Sequence, residues 1–416
     1  MKINEWKLGL AAAGLVSLAS GLQAQDKPQQ APLMTALSAT TISGYVDTSA
    51  VWNPGTGNAN PAPYAFNVGK QDGFNLNAVD LKIAKAEGEE AWAAGYVAEL
   101  SYGPDARAID AGAYPIRQAY VELKVPVGNG LNFELGRWDS LLGYESSDSM
   151  KNPNYTRSYG KTFEPTENTG LLASYKFCDA FSFQAGVADT LDTLRVNARH
   201  DPGAYPVESK KAALTLATLT APDSWGSFKG STLVAGFDHG QGADTATVPS
   251  SHDRTEWYVG AMVNTPVKAL TFGASWDWIH DLDLAGAPPG AGTTTLEAHY
   301  ISAIAGYASY KVTEKLTLNG RAEWANGPGL ADALYLDNGP AAAGAPAVKF
   351  DKVLALTGTV QYQLWDNVLS RIEVRWDHAA DGADAFGGTG AQGTFFGIPP
   401  NKKNEVTIAA NVIYKF

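Results

Sequence analysis

From Thr41 to the C-terminus, apolar and polar residues alternate with a period of two, in segments of about ten residues. A strand turns successive side chains to opposite faces, so each segment predicts one apolar face and one wet face. The last segment, 405–416, is the clearest. Val406, Ile408, Ala410, Val412, Tyr414 and Phe416 form one set; Glu405, Thr407, Ala409, Asn411, Ile413 and Lys415 form the other. In 268–280, Leu270, Phe272, Ala274, Trp276 and Trp278 alternate with Thr271, Gly273, Ser275, Asp277 and Ile279. In 314–326 and 367–378 the polar set is charged: Arg321 and Glu323, then Arg371, Glu373, Arg375 and Asp377. The pattern predicts strands at 41–52, 74–86, 90–102, 115–126, 131–138, 167–177, 180–189, 208–220, 227–238, 254–265, 268–280, 295–311, 314–326, 350–364, 367–378 and 404–416.

A charged face opposite an apolar one fits either a sandwich in bulk water or a wall between lipid and a wet lumen. Sandwich domains hold about seven to nine strands in about 100 residues. Here the segments run on with no dividing linker. Their connections alternate between short turns (near 87–89, 127–130, 178–179, 221–226, 266–267, 312–313 and 365–366) and long loops (53–73, 103–114, 139–167, 190–207, 239–253, 281–294, 327–349 and 379–403). Short turns on one side and long loops on the other are the rule for a membrane barrel. The expected fold is therefore all-β, a transmembrane antiparallel up-and-down barrel of about 16 strands spanning 41–416. An even strand number puts both chain ends on the short-turn side, the periplasmic one. Closure follows from backbone polarity, because each unpaired N–H or C=O in hydrocarbon costs several kcal/mol. Sixteen strands enclose a width that side chains alone do not fill, which leaves an aqueous channel. Trp225 and Trp365 in short turns, and Trp52, Trp276, Trp278, Trp324 and Trp376 near long loops, would form two interfacial belts. Aromatic residues also favour strands in general, so the belts add little alone.

Charge and composition narrow the class. A net charge of −12 disfavours nucleic acid as a partner. After Ala24 no apolar run is long enough for a membrane helix, which excludes a helical membrane protein but not a barrel. Residues 1–24 read as a secretory signal peptide: Lys2 and Lys7, a short apolar run, then Leu22-Gln23-Ala24. Residues 25–40 lack pattern and read as a flexible lead-in. The lone Cys178 sits at a tight turn and forms no intramolecular disulfide. The chain's ending, with Tyr414 and the terminal Phe416, resembles the C-terminal signature of bacterial outer-membrane barrels. That resemblance implies recognition by the barrel-assembly machinery and places the chain in the outer membrane, among its lipids.

The third long connection, 139–167, holds both signs of charge and several aromatic residues: Asp139, Glu145, Asp148, Arg157, Lys161 and Glu164, with Tyr144, Tyr155, Tyr159 and Phe163. Long loops with internal apolar residues are packed ones. This one either folds into the lumen and narrows it or closes on itself outside. The stretch Gly136-Arg137-Trp138-Asp139 to Gly143-Tyr144-Glu145, followed by Asn152-Pro153-Asn154-Tyr155-Thr156-Arg157-Ser158-Tyr159 and Glu167-Asn168-Thr169-Gly170, resembles the OmpL-like family of bacterial β-barrel porins. Thr156 stands where that family usually has Ser, and Asn168 where His is common. The resemblance implies an outer-membrane porin and brings no substrate with it.

The constriction candidates are Asp139, Glu145, Asp148, Arg157 and Lys161 on the loop, with Arg321, Glu323, Arg371, Glu373 and Arg375 on the wall. The wall charges either set a transverse field on passing solutes or pair with one another and stiffen the wall. The principal reading is a water-filled channel for passive diffusion of small hydrophilic solutes or ions. The alternative is a substrate-selective channel, for sugars along the loop tyrosines. A non-conducting surface barrel or adhesin and an outer-membrane enzyme stand behind these. His200, His239, His252, His280, His299 and His378 show no metal-ligand or nucleophile-elbow spacing, so neither catalysis nor a metal or other cofactor is expected. Many porins are trimers and a homotrimer is open to this chain, but neither a trimer interface nor the oligomeric state is legible in the sequence.

Overall fold

Sheet edges have no partners in hydrocarbon, and the chain removes its edges by closing on itself. A computed structural model describes residues 39–67, 70, 72–106, 115–191, 211–241, 253–283, 297–337, 350–389 and 398–416. The segment assigned to a signal peptide, and all of the lead-in before residue 39, lie outside these. Among the described residues the strands are β1 (Thr41–Trp52), β2 (Gly73–Lys85), β3 (Ala93–Tyr102), β4 (Ile116–Val125), β5 (Leu131–Asp139), β6 (Glu167–Cys178), β7 (Phe181–Ala188) and β8 (Ala212–Thr220). They continue with β9 (Thr232–Gln241), β10 (Asp253–Asn264), β11 (Leu270–Asp283), β12 (Glu297–Lys311), β13 (Leu316–Asn326), β14 (Lys352–Trp365), β15 (Val368–Ala379) and β16 (Asn404–Lys415). Each pairs antiparallel with its sequence neighbours, and β1 pairs with β16 to close the barrel.

The predicted strands fall on these elements within a few residues. The largest shift is at β9, expected from 227 and beginning at Thr232. Asp223–Phe228 forms 3-10 turns with a non-helical break at Gly226, which lengthens the connection. Thr40, expected in the lead-in, is tied to β3 by its hydroxyl, 3.0 Å from that of Tyr96.

The faces are inverted relative to a water-soluble sheet. On β16, Glu405, Thr407, Ala409, Asn411 and Ile413 are buried, whereas Ile408 and Val412 are exposed. On β15, Arg371, Glu373, Arg375 and Asp377 are at most 1 % exposed, while Ile372 is 56 % exposed. Polar groups thus point inward and aliphatic ones outward, the order that lipid outside and water inside select. Trp225 and Trp365 are exposed at the short-turn end; Trp52, Trp257 and Trp276 are exposed near the other.

The seam is held by backbone and by absence of a side chain. Gly44 and Phe416 exchange two backbone hydrogen bonds, 3.1 and 3.0 Å long. A Cβ on Gly44 would lie 2.1 Å from the Asp80 carbonyl oxygen of β2 and 2.8 Å from the Phe416 ring. We expect Gly44→Val and deletion of Phe416 each to reduce the folded fraction in the outer membrane. The heat-modifiable band on a denaturing gel reports this, and unchanged band intensity for both variants would contradict the seam's role.

Candidate pore constriction

The loop between β5 and β6 is built to lie against a wall of charged groups. Gly136 has a φ of 137°, and a Cβ there would meet the Ala119 carbonyl at 2.2 Å. From Asp139 the chain leaves the wall, and Leu141 and Leu142 pack with Trp138, Leu172, Leu214 and Leu216 in an apolar cluster beside β5–β10. Tyr144 stacks on Tyr307 of β12, ring centroids 4.1 Å apart. A 3-10 turn follows at Ser149–Lys151, capped by the Asp148 carboxylate, which accepts from Met150 N at 3.0 Å. A short helix, α1 (Tyr159–Phe163), starts at Ser158, whose hydroxyl accepts from Lys161 N. A second helix, α2 (Leu330–Asp337), in the β13–β14 loop, packs against it through Leu330, Ala331, Ala333 and Leu334, with Tyr159, Phe163 and Phe386.

Hydrogen bonds join this loop to inward-facing side chains across the barrel. The Arg321 guanidinium of β13 donates to Glu145 (2.8 Å), to the carbonyl oxygens of Thr156 (2.7 Å) and Arg157 (3.1 Å), and to Glu323 (2.8 Å). Arg375 of β15 donates to the Arg157 carbonyl (2.6 Å) and to Asp377. Arg371 donates to the carbonyls of Ser149 (3.0 Å) and Asn152 (2.7 Å). Glu373 accepts from the backbone N–H of Tyr155 (2.6 Å) and Thr156 (2.9 Å), and Glu323 from that of Tyr159 (2.7 Å). The Tyr155 hydroxyl donates to Ser49 of β1, and that of Tyr159 to Asp377. Arg254 of β10 donates to the Phe163 carbonyl. Charge-assisted bonds of this kind are about twice as strong as neutral ones.

The ten constriction candidates therefore divide. Glu145, Arg321, Glu323, Arg371, Glu373 and Arg375 are buried where loop meets wall, and their polar atoms hold the loop. Arg157 is buried too; it donates to the Tyr155 carbonyl and lies over the Phe66 ring. Lys161 pairs with Glu164 at 3.2 Å. Asp148 is buried and pairs with the exposed Lys151 at 3.4 Å, and Asp139 keeps partial exposure. A cavity of about 380 Å³ lies against the loop, bordered by Asp139, Tyr144, Glu145, Lys151 and Lys161 and by wall residues such as Thr271, Ser309, Asn319 and Gln361.

The opposite wall supplies charges that the sequence reasoning passed over. Arg117 of β4 donates to Glu99 (2.6 Å) and Asp139 (2.8 Å), and Lys82 pairs with Glu99 at 3.2 Å. The first loop also reaches inward: Ala62 N donates to Glu405, Tyr64 lies over Arg375, and Lys70 pairs with Asp105 at 2.7 Å. The inward phase of β2 and β3 would have found Asp80, Lys82 and Glu99. Arg117 shares the outward phase of Ala119, Val121 and Leu123 on β4 and is brought inside by the bulge opposite Glu99 and Leu100, which the alternation does not show.

Removing Arg321 leaves buried Glu145 without its cation and the Thr156 carbonyl without its donor, and takes one of two arginines from Glu323 and from the Arg157 carbonyl, so Arg321→Ala should cost about 3–5 kcal/mol. The check is the unfolding midpoint of the detergent-folded protein. Arg321→Lys should recover only part, since an ammonium lacks the planar fork.

Burial holds the Glu164 carboxyl above its usual range, with Lys161 opposing. Folded protein then binds this proton more tightly than unfolded protein does. The docked loop is favoured at low pH, and the contribution falls as pH rises above about 4.5 through the raised folded value. Hydrogen exchange of 140–166, corrected for intrinsic rates, should be faster at pH 8 than at pH 5, and Glu164→Gln should remove most of the difference.

A family model described as "Putative beta-barrel porin-2, OmpL-like" matches residues 39–416. No curated protein sequence matches the chain. Among solved structures, an anion-selective porin from Comamonas acidovorans is similar at 12 % identity and a TM-score of 0.55, over 91 % of this chain and 99 % of that one. The outer membrane channel DcaP of Acinetobacter baumannii is similar at 12 % identity and a TM-score of 0.55, over 91 % and 97 %. The trimer form of OmpT, an outer membrane protein of Vibrio cholerae, is similar at 12 % identity and a TM-score of 0.51, over 91 % and 99 %.

Proposed function

Because the chain belongs to the OmpL-like family of β-barrel porins, we propose that this outer-membrane channel passes small hydrophilic solutes and ions by passive diffusion, along a lumen narrowed by the β5–β6 loop. The observation that carries the reading is the inverted wall. Strands aliphatic outside and hydrogen-bonding inside enclose a space whose loop borders a polar cavity. Water can fill such a space, and charge at its narrowest point filters what passes. Asp139 and Lys151 are loop charges there that keep exposure, and the buried arginines fix where the loop stands.

The same reading has residues 1–24 direct export, the Tyr414–Phe416 ending engage the barrel-assembly machinery, and both chain ends face the periplasm. Three copies would assemble side by side, in the manner of the trimer form of OmpT. Channel function leaves no role for a catalytic residue. The stacked Tyr144–Tyr307 pair beside the cavity favours a second reading, a platform for sugar rings.

Reconstitution into planar bilayers tests both. Passive diffusion predicts linear, stepwise conductance that no sugar in a panel blocks. Block by one sugar at millimolar concentration would favour the selective reading. Absence of current from folded protein would remove both.

A further inference from the structure

The register of the barrel places like charges opposite one another, and always of one sign. Glu122 of β4 is directly opposite Glu134 of β5. Asp139 is opposite Glu167 across β5–β6, Asp238 opposite Glu256 across β9–β10, and Asp377 opposite Glu405 across β15–β16. No two basic residues are directly opposite in any strand pair among the described residues. The Glu122–Glu134, Asp238–Glu256 and Asp377–Glu405 pairs point inward, because they alternate with Val121, Leu135, Leu233, Trp257, Val374 and Ile408, which are exposed on the outer wall; Asp139 and Glu167 sit beside the buried Trp138 and Asn168 at the root of the loop.

Directly opposed like charges destabilise a sheet unless a counter-charge stands between them. Some counter-charges are present: Arg117 serves Asp139, Arg137 serves Glu167, Arg254 serves Glu256 and Arg375 serves Asp377. Asp238, Glu405 and both members of the Glu122–Glu134 pair have none. Both Asp238 carboxylate oxygens, Glu405 Oε1 and Glu134 Oε2 are buried without a hydrogen bond, and no described basic group lies within ion-pair distance of Asp238, Glu405, Glu122 or Glu134. Meanwhile the arginines that could have offset them are engaged elsewhere. The donors of Arg321, Arg371 and Arg375 face loop carbonyls and their side chains are shut off from water.

We infer that the channel prefers cations over anions, and that the Glu122–Glu134 pair sets much of that preference. This deepens the porin reading and rests on it. The pair stands on the inward face near the short-turn end of β4 and β5, where both residues keep partial exposure although Glu134 Oε2 is itself shut off from water. Fixed carboxylates in low-dielectric walls raise the local concentration of cations and exclude anions. The deeper pairs add to the same field along the lumen.

The test is the zero-current potential of the full-length protein in a planar bilayer under a tenfold KCl gradient. Wild type should give the sign of potassium permeation. Glu122→Gln with Glu134→Gln removes the repulsion and keeps the shape; it should lower the potassium-to-chloride permeability ratio at least about twofold, by loss of this field. Lys151→Glu, at the partially exposed loop apex, should raise the ratio. Conductance with the chloride sign, or with no preference, would overturn the inference and leave the porin reading intact. An unaltered ratio in both variants would also overturn it. Absence of conductance in wild type would instead defeat the porin reading.

Discussion

Everything in this molecule follows from one circuit of backbone hydrogen bonds that has no loose end. A lone strand in hydrocarbon would leave its N–H and C=O groups unmatched, so β1 has to meet β16. That requirement explains why the seam is made where Gly44 lets the chains approach. It also fixes the phase of every strand. Once the outward set is aliphatic, the alternate set is committed to the interior, whatever its polarity.

The interior then has its own problem. A ring of this many strands is too wide for its side chains to meet, and charged groups there need partners or water. Here the partners come largely from peptide groups. Three guanidiniums and two carboxylates on β13 and β15 engage the carbonyls and amides of a loop from the other half of the chain. Tyr155 and Tyr159 then add hydroxyl bonds to β1 and β15. The arrangement satisfies buried charge and holds an irregular segment rigid with the same contacts.

Strand positions and faces were legible because a period of two is a local property, and β15 and β16 show it almost without exception. Helical turns in the connections were not, since Asp223–Phe228 carries no periodic signal of its own. At the constriction, the sequence marks Arg321, Arg371 and Arg375 as inward but not as loop anchors. Their acceptors on the loop are mostly backbone carbonyls, which every residue has, so no residue type announces them. The residues of the Asn-Tyr-Thr-Arg-Ser-Tyr motif were visible as unusual. What makes them so is contact with Glu373, Glu323 and Asp377 more than 150 residues later, which no local pattern contains.

The separation along the chain between that motif and its anchors has a consequence for how the barrel is born. Segment 140–166 is made long before β13 and β15, yet its sockets are on those strands. Until they arrive, Glu145 lacks its arginine and the peptide groups near Ser149–Tyr159 lack their wall partners, though Ser49 of β1 and the leucines of β6 and β8 are already made. A sheet that has not reached β13 carries this segment without those anchors. The loop's seating on the wall is complete only when the final quarter of the chain is in place.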